Sequence, residues 1–459
     1  MTIAPYATEL AELRGIVSGP VLTAEDSGFA EEITGFNLAN EHRPDVVVGV
    51  ANPSDVAATV RFAADTGLPV RMQATGHGSY APFAGGVLIS TKRLDAVSID
   101  PATRVATVGA GVRWLAVQAA AAPLGLTAIT GSSPDVGAIG LALGGGLGPL
   151  ARSHGFTSDY VRGFTIVTAD GSMLEVDAGQ HPDLFWALRG GKGGLGVVTE
   201  MRIELVPLAT IYAGALYFDE PHIETVLRGW VDWTASAPDD VTTSMAMINF
   251  PPLEQVPEPL RGRRTIALRF AYPGSTTEGE QLAAPLRALA PALIDAIGVL
   301  PTAEMGVIHS DPDQPIPAWD RGMLLSSIDQ EFADELLAEV GPGSNAPIIA
   351  VEVRQLGGAT RKDVTGGSAA GGRASDFSLT LIGVPDPDLF DEVLPQLGDR
   401  VMAAVAPWLS PETNINFAGR LRSEEHFASA WPTASFERLA QIRERYDPHK
   451  LFVYGPITP

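Results

Sequence analysis

The chain has 459 residues, of which 45% are hydrophobic and 19% charged, a composition typical of a globular protein of two or three domains. Its formal net charge of −23 disfavours nucleic-acid and anionic-membrane partners, and the absence of cysteine excludes disulfides, thiolate metal sites and cysteine nucleophiles. It contains no apolar run of about 18 residues and no N-terminal signal-peptide pattern, so we expect a cytoplasmic protein. The Ala-, Gly- and Asp-rich composition is typical of a high-GC bacterium.

In the first region, residues 1–207, short β-branched runs alternate with helical patterns. The turn Asp170-Gly171 lies between two apolar runs, a pattern that predicts a β-hairpin. The predicted strands are Val46–Val50, Val70–Gln73, Val87–Ser90, Val97–Ile99, Arg104–Val108, Phe164–Thr168 and Met173–Val176. The predicted helices are Ser54–Thr66 and Arg113–Ala121. This alternation predicts a mixed α and β domain.

The second region, residues 208–415, has longer strand patterns separated by helices, which predicts one antiparallel sheet backed by helices. The predicted strands are Ile211–Phe218, Thr243–Phe250, Thr265–Tyr272, Ile348–Gln355 and Phe377–Ile382. The predicted helices are His222–Ala235, Glu278–Leu289 and Asp388–Val405. We expect the glycine-rich segment Gly357–Gly372 to be a mobile loop. The third region, residues 416–459, contains a helix, Phe436–Tyr446, that ends at Asp447-Pro448 because the residue before proline disfavours helix.

The first motif is Gly76-His77-Gly78, which follows the predicted strand Val70–Gln73. Glycines allow backbone N–H groups to approach an anion closely, so the turn could form a phosphate cradle. A tight turn with an exposed histidine explains the same residues, and local physics gives the two interpretations about equal weight.

The second motif is the segment from Thr130 to Gly148, which has six glycines between residues 137 and 148. So many glycines disfavour a stable helix or central strand. Because the residues between them are apolar, we expect a buried loop whose backbone polar groups need partners, such as the oxygens of a cofactor. A packing loop would explain the apolar residues but leaves the glycine density without a reason.

The third motif runs from Asp183 to Thr199 and contains Gly191-x-Gly193-x-x-Gly196, which matches the dinucleotide fingerprint by its letters. The fingerprint of a Rossmann fold follows a strand and opens a helix. Here the glycines follow a predicted helix and precede a predicted strand. We therefore reject a Rossmann fold.

Together these motifs resemble the FAD-binding domain of the vanillyl-alcohol oxidase / p-cresol methylhydroxylase superfamily, with the berberine-bridge-enzyme-like oxidases as the most similar branch. The tail, with Asn416-Phe417 and Tyr446-Asp447-Pro448, resembles the family's C-terminal segment. The resemblance implies an α+β fold: a two-part FAD-binding domain, residues 1–207 and 416–459, and an inserted substrate domain, residues 208–415, on an antiparallel sheet backed by helices.

The resemblance also implies FAD attached covalently at His77. A second tether in some members comes from a cysteine, whose position is Ser133 here, so we expect a single attachment. Leu195 and Gly194 replace the family's usual aromatic residue and asparagine. The cofactor-binding positions that it implies are Arg71, Ala74, Thr75, Gly76, His77, Gly78, Ser79, Thr130, Ser133, Val136, Gly137, Gly140, Gly144, Gly145, Gly196, Val197, Asn416 and Tyr454.

The implied activity is an FAD-dependent oxidase or dehydrogenase that oxidises a C–H bond next to O or N in a small secondary metabolite, sugar, alcohol or amine. O₂ is the expected acceptor, and no metal is expected because the eight histidines lack ligand spacing. A flavin-dependent oxygenase or cyclase and a non-catalytic flavin-binding module remain alternatives. The sequence is compatible with a homodimer.

The base is expected on the sheet of the second region. Glu352 and Arg354 share one face of the strand Ile348–Gln355, because strand side chains alternate. Two charged residues on one face of an apolar strand need a partner or a function. A catalytic role for Glu352 and a structural ion pair between Glu352 and Arg354 have about equal weight. The catalytic candidates are Glu352, as general base or substrate-polarising group, with Tyr80 and Tyr160 next. Further tyrosines to consider are Tyr212, Tyr217 and Tyr272, whereas His154 and His309 are expected to be structural or on the surface.

Overall fold

The structure is a computed structural model that describes residues 6–78, 81–420 and 423–455. Within these ranges the strands are β1 Val21–Leu22, β2 Val46–Gly49, β3 Val70–Gln73, β4 Val87–Ser90, β5 Val97–Asp100, β6 Val105–Gly109, β7 Val161–Val167, β8 Met173–Val176, β9 Val197–Glu204, β10 Thr210–Asp219, β11 Thr242–Asn249, β12 Arg264–Tyr272, β13 Ile294–Asp295, β14 Gly298–Pro301, β15 Asp320–Leu325, β16 Ile348–Gln355 and β17 Phe377–Gly383.

The α-helices of the same ranges are α1 Ala7–Ile16, α2 Phe29–Ile33, α3 Pro53–Thr66, α4 Trp114–Ala121, α5 Ala138–Ala142, α6 Ala151–His154, α7 Pro182–Leu188, α8 Ile223–Thr234, α9 Thr276–Arg287, α10 Gln330–Val340, α11 Val393–Ala404, α12 Glu424–Ala428 and α13 Thr433–Tyr446. None of the helices in the described ranges combines the length and the apolar character that a bilayer crossing requires.

A four-stranded sheet in the order β1-β2-β4-β3 opens the fold, and its strands β2, β4 and β3 are parallel. The connecting helix α3 begins after Asn52, whose side chain accepts a hydrogen bond from the Asp55 N–H, and ends at Gly67 in the left-handed conformation. At the β3 edge the Val70 N–H donates to the Leu451 carbonyl at 2.8 Å, and the Val453 N–H donates back to the Val70 carbonyl at 2.8 Å. The C-terminal segment therefore returns to the first sheet.

A second sheet, in the order β5-β6-β9-β7-β8, is antiparallel and has five strands. The predicted hairpin is present as β7 and β8, with Gly171 at a φ of 75° in its turn. The two sheets share one apolar core with α13 and the C-terminal residues Leu451 and Phe452.

The third sheet has eight strands, in the order β13-β10-β12-β11-β16-β17-β15 with β14 beside β10, and all its pairings are antiparallel. Helices α8, α9, α10 and α11 contribute to the apolar core against one of its faces. The opposite face is called the site face below. This α+β arrangement confirms the predicted fold class, whereas the domain boundaries at 207 and 415 stay a prediction.

Some local expectations were wrong. The glycine-rich second motif contains a short helix, α5, and not only loop. The segment Gly357–Gly372 is not a loose loop, because it begins with the 3-10 helix Gly358–Arg361 and ends against α7, where the Ala369 N–H donates to the carbonyls of Trp186 and Arg189. Strand β15 and helix α10 were not predicted at all.

Candidate flavin and substrate site

The His77 side chain is held in a narrow position at the end of β3. Gly76 has a φ of 76°, and a Cβ there would lie 2.6 Å from the Gly35 Cα, so only glycine fits. The imidazole stacks on Phe36 with ring centroids 3.8 Å apart and an interplanar angle of 13°. Its Nδ1 lies 2.9 Å from Thr75 Oγ1, whereas Nε2 is buried without a partner in the described structure. Burial, aided by Arg113, lowers the pKa of His77 to about 4, so the ring is neutral at pH 7.

The second motif divides into an open part and a packed part. Gly137 precedes α5, and a Cβ at Gly140 would meet nothing within 4 Å, so this stretch is open to a ligand. Gly144 is different, because a Cβ there would lie 2.2 Å from Asn416 Oδ1, and at Gly148 it would lie 2.0 Å from the Thr130 carbonyl. Packing within the protein therefore explains part of the glycine density, contrary to our expectation.

The third motif is tied to the second by Lys192. Its ammonium donates to the Gly140 carbonyl at 2.8 Å and to Asn416 Oδ1 at 2.6 Å, and Asn416 Nδ2 donates to the Leu141 carbonyl at 3.0 Å. Burial lowers the pKa of Lys192 to about 8, and no ion pair of its ammonium is found among the described residues. The sequence reasoning did not select Lys192, although a lysine among glycines between two apolar elements was a visible signal.

The remaining cofactor candidates lie around these three motifs. A Cβ at Gly145 would lie 3.0 Å from Phe156, and one at Gly196 would lie 2.5 Å from the Val167 carbonyl, so both glycines are required by packing. Ala74 and Thr75 face Gly137, Thr130 is buried, Ser133 and Val136 are half-buried, and Val197 pairs with Val167. Arg71 donates to the Ala81 carbonyl at 2.7 Å. Gly78 follows His77, whereas Ser79 and Tyr80 lie outside the described residues.

Tyr454 is the C-terminal candidate. Its hydroxyl is buried and has no hydrogen-bond partner in the part of the chain that the structure describes. Burial raises its pKa far above the usual value, against the opposite effect of Arg443 and Arg71, so the hydroxyl stays protonated and can donate. A Cβ at Gly193 would lie 2.5 Å from the Tyr454 ring, which explains that glycine of the third motif.

The site face of the large sheet carries Glu352 between two arginines. Glu352 Oε2 accepts from Arg354 Nε at 2.6 Å, as their common face predicted, and Oε1 accepts from Arg269 Nη1 at 2.5 Å. Ser244 Oγ donates to the same Oε1 at 3.2 Å. Burial favours the protonated form of Glu352, but the charges of Arg354 and Arg269 outweigh it and hold the pKa below the usual value. Such a carboxylate is a weak base at neutral pH.

Glu352 and its arginines contact the second motif, Thr130 to Gly148, which is called the flavin loop below. The contact is a hydrogen bond of 3.2 Å from Arg354 Nη1 to Ser132 Oγ. Ser132 Oγ also lies close to the carboxyl of Asp311, which is an exposed residue. The surrounding protein raises the pKa of Asp311, against the lowering effect of Arg354 and Arg269. Asp311 follows the 3-10 helix Thr302–Ile308. The sequence reasoning missed it, since no local pattern shows that this helix packs on the flavin loop.

The tyrosine and histidine candidates separate clearly. Tyr217 lies on the site face, where burial raises its pKa, with Arg269 opposing that effect and Asp311 adding to it. Tyr212 and Tyr272 belong to the core on the helix side of the sheet. Tyr160 lies against the His154 ring at a centroid distance of 6.5 Å, and burial raises its pKa to about 12.

His309 is neither exposed nor remote. Its Nε2 lies 3.5 Å from Glu352 Oε1, and burial together with Arg354 and Arg269 lowers its pKa well below the usual value. His309 is therefore a neutral member of the cluster of Glu352, Arg354, Arg269 and Ser244, which is called the Glu352 group below. Its Nδ1 is buried without a partner in the described structure.

These features suit a large, partly anionic cofactor. Two buried polar atoms, His77 Nε2 and the Tyr454 hydroxyl, have no partner among the described residues, the space beside Gly140 is open, and Lys192 supplies a half-buried cation. A cation that is partly removed from water and has no carboxylate partner favours an anion nearby. A pyrophosphate-containing cofactor with a planar ring system fits this set of donors.

Residues 44–177 match the FAD binding domain family. The chain is 27% identical to (R)-6-hydroxynicotine oxidase of Paenarthrobacter nicotinovorans over 467 residues, covering 95% of both chains. The matched domain and this relative support the superfamily that the motifs resemble, and they show that the chain is an FAD-dependent oxidoreductase.

Two solved structures share the fold. Physcomitrella patens BBE-like 1 has a TM-score of 0.82 at 20% identity, with 98% of this chain and 99% of that chain covered. Glucooligosaccharide oxidase of Acremonium strictum, which has a 6-S-cysteinyl, 8α-N1-histidyl FAD, has a TM-score of 0.80 at 20% identity, with 98% of both chains covered. The predicted fold class is thus confirmed.

Proposed function

We propose that the protein is an FAD-linked oxidase whose flavin is attached covalently through His77 and through no other residue. The observation that carries the proposal is the buried, neutral His77 ring with an unpartnered Nε2, held at the end of β3 by Phe36 and Gly76. A neutral imidazole nitrogen is a nucleophile, and burial prevents its protonation at pH 7. Ser133 provides no thiol for a second attachment.

The proposed reaction is oxidation of a C–H bond next to O or N in a small organic substrate, with O₂ as acceptor. When bound, the flavin accepts the hydride and passes electrons on to the acceptor. The residues that we propose to hold it are the loop of Thr75 to Gly78, the start of α5 from Gly137 to the open position at Gly140, and Lys192.

The Glu352 group is proposed to face the substrate. Its low pKa supports the role of a polarising and positioning group, in which Glu352 fixes the guanidinium groups of Arg354 and Arg269, over the role of a proton acceptor. Asp311 is the better proton acceptor, because it is exposed and its pKa is raised above the usual value, whereas that of Glu352 is lowered. The Ser132 hydroxyl between Arg354 and Asp311 can orient that carboxyl. Tyr80 and Tyr160 stay untested candidates.

The attachment is tested by acid precipitation of the purified protein. We expect the flavin to stay with the precipitated protein, and a single tryptic flavopeptide to contain His77. His77→Ala should release its flavin on denaturation, whereas His181→Ala, a change at an exposed histidine, should not. Complete release of flavin from the denatured wild type would contradict covalent attachment.

The acceptor is tested during turnover. An oxidase releases hydrogen peroxide stoichiometrically with the oxidised substrate. Incorporation of ¹⁸O from labelled O₂ into the product would instead identify a flavin-dependent oxygenase, and reduction of an artificial acceptor without peroxide would identify a dehydrogenase. A flavin that no donor reduces under anaerobic conditions would support a non-catalytic module.

A further inference from the structure

Asp320 is an acid on the site face of the large sheet that the proposed mechanism does not use. On β15 the side chains of Met323 and Leu325 join the core on the helix side, and Arg321 pairs with Asp399 of α11 at 2.6 Å. Because side chains alternate along a strand, Asp320, Gly322 and Leu324 face the other way. The packing of Leu324 with Leu147 and Phe156 of the flavin-loop side agrees with this orientation.

The strand register places Asp320 at the end of an apolar row that crosses the sheet. Asp320 pairs with Ile382, Ile382 with Ala350, and Ala350 with Ile248. Ile382 is 36% exposed, an unusual state for an isoleucine in the middle of a sheet. A partly exposed apolar surface of this kind beside a polar group is typical of a ligand-binding wall.

The same row lies next to the Glu352 group. Glu352 pairs with Thr380, which pairs with Gly322, two residues from Asp320 along β15. Strand spacing and rise put the Cα atoms of Asp320 and Glu352 about 12 Å apart on one face. The apolar row therefore lies beside Glu352 on the same face of the sheet.

The segment before Asp320 connects this wall to the flavin side of the site. The Ile316 N–H donates to the carbonyl of Phe36, the residue that stacks on His77, at 3.0 Å. The Asn37 side chain holds the Ala318 backbone through two hydrogen bonds of 3.0 and 3.1 Å. Asp320 is thus fixed to the same framework as the proposed attachment residue.

The Asp320 carboxylate has neither an ion pair nor a hydrogen bond among the described residues. The nearest arginines in sequence and packing are used elsewhere, since Arg321 pairs with Asp399 on the opposite face and Arg420 pairs with Asp391. Burial raises the pKa of Asp320 to about 6, and no charged neighbour opposes that shift. A carboxylate that is largely removed from water normally has a partner, and Asp320, which is half-buried on this wall, has none among the described residues.

We propose that Asp320 binds the ammonium group of a cationic amine substrate whose apolar body lies on Ile382, Ala350 and Ile248. This inference rests on the proposed function and names its substrate class, an amine with an apolar body in preference to a neutral sugar. At pH 7 the unpartnered carboxylate is charged and pairs with the ammonium, and the apolar row removes hydrocarbon from water.

Equilibrium dialysis of the holoenzyme at pH 8, with O₂ excluded so that the probes are not turned over, tests the inference with two probes of equal shape, 2-phenylethylammonium and 2-phenylethanol. We expect the cation to bind at least about 10-fold more tightly than the alcohol, as one charge-assisted hydrogen bond provides. Asp320→Asn should remove this preference and leave the affinity for the alcohol within about two-fold. Asp320→Glu should retain the preference, and so should Asp65→Asn, which changes an exposed aspartate of α3.

A measurement on the wild type makes the test independent of any variant. The preference for the cation should disappear between pH 7 and 5, because Asp320 takes up a proton near pH 6 whereas the amine stays charged. Equal affinity for the two probes at pH 8 would overturn the inference. So would a preference that persists in Asp320→Asn and disappears in Asp311→Asn. Dialysis requires neither flavin reduction nor covalent attachment. A failure of Asp320 to bind the ammonium group is therefore distinct from a failure of the proposed oxidase function.

Discussion

Glu352 and Arg354, two residues apart on β16, form an ion pair with 2.6 Å between Oε2 and Nε on the sheet face that meets the flavin loop. Arg354 reaches from this pair to Ser132 Oγ at 3.2 Å. The pair therefore connects the substrate sheet to the second glycine motif. Its partner Arg269 completes a buried group in which one carboxylate serves two guanidinium groups.

The first prediction concerns the stability of this group. Glu352→Gln removes the carboxylate that pairs with both Arg269 and Arg354, and breaking a buried pair costs about 3–5 kcal/mol of unfolding free energy. The pKa of Glu352 is lower in the folded protein than in the unfolded one. Its contribution is therefore present above the unfolded value near 4.5 and is lost as the pH falls through the folded value.

Denaturant unfolding at pH 7 and at the lowest pH at which the wild type stays folded measures this effect. The difference between wild type and Glu352→Gln should shrink as the pH falls below 4.5. Arg269→Met combined with Glu352→Gln should recover part of the loss, because one of the two unpaired charges is removed. Equal stability of Glu352→Gln and wild type at pH 7 would show that the carboxylate is not a structural partner.

The second prediction separates the proton acceptor from its rivals. Asp311→Asn should slow anaerobic flavin reduction by about 10²-fold or more, the usual effect of losing one acid–base group. Tyr160→Phe, at a residue that lies against His154, should change the rate by no more than a few-fold. Stopped-flow bleaching of the flavin with the same substrate gives both rates. If Tyr160→Phe slows flavin reduction strongly and Asp311→Asn does not, the proton acceptor lies on the Tyr160 side of the flavin loop and is not Asp311.

Sequence alone predicted the framework of this site better than its chemistry. The strands β3, β4, β8 and β16 were predicted with their observed bounds, because alternating or continuous apolar runs bounded by turn residues determine a strand locally. Strand β15 was missed because it begins with Asp320, Arg321 and Gly322, which give no apolar pattern. Helix α10 had a usable signal, the Asp329 cap and the spacing of Phe332, Leu336 and Val340.

The site residues that sequence missed reach the site through tertiary contacts. Asp311 follows a 3-10 helix in which a Cβ at Gly306 would lie 3.0 Å from Pro134 of the flavin loop. That contact joins residues far apart in sequence, and periodicity carries no information about it. Resemblance to a family supplied His77 for the same reason, since the local pattern alone left an ordinary turn equally acceptable.

The third prediction concerns Phe36, which holds the His77 ring at a centroid distance of 3.8 Å. Phe36→Ala removes the stacking surface, and the freed imidazole then samples other rotamers. We expect a smaller fraction of covalently attached flavin, measured as acid-precipitable absorbance at 450 nm relative to total flavin. Phe36→Tyr keeps the ring and serves as the control. An unchanged covalent fraction in Phe36→Ala would show that the loop backbone alone positions the histidine.

The fourth prediction tests the proposed two-part FAD-binding domain. Residues after 415 supply Leu439, Ile442, Leu451 and Phe452 to the core of the first two sheets. Asn416 bridges Lys192 and the Leu141 carbonyl. A chain that ends at residue 415 should therefore retain no FAD after gel filtration. Normal flavin binding by this truncated chain, either as purified or after refolding with excess FAD, would contradict the arrangement.

The fifth prediction follows from the isolation of Asp320. The pKa of an unperturbed aspartate is 3.8, and burial raises the pKa of Asp320 to about 6 in the folded protein. The native state thus favours the protonated form, so this residue's contribution to stability is greatest below pH 3.8 and is lost as the pH rises through 6. A shift of about two pKa units corresponds to at most about 3 kcal/mol at pH 8.

Asp320→Asn removes this cost at high pH, because a neutral amide replaces a carboxylate that has no cation beside it. We expect the variant to melt about 1–3 °C above the wild type at pH 8 in scanning calorimetry, the scale that such an energy gives in a chain of this size. At pH 4 the two proteins should melt together, since Asp320 is protonated in the wild type as well. Asp65→Asn should have no effect at either pH. A variant that melts below the wild type at pH 8 would mean that the carboxylate already has a stabilising partner, and an acid with such a partner cannot serve as a free anchor for an ammonium group.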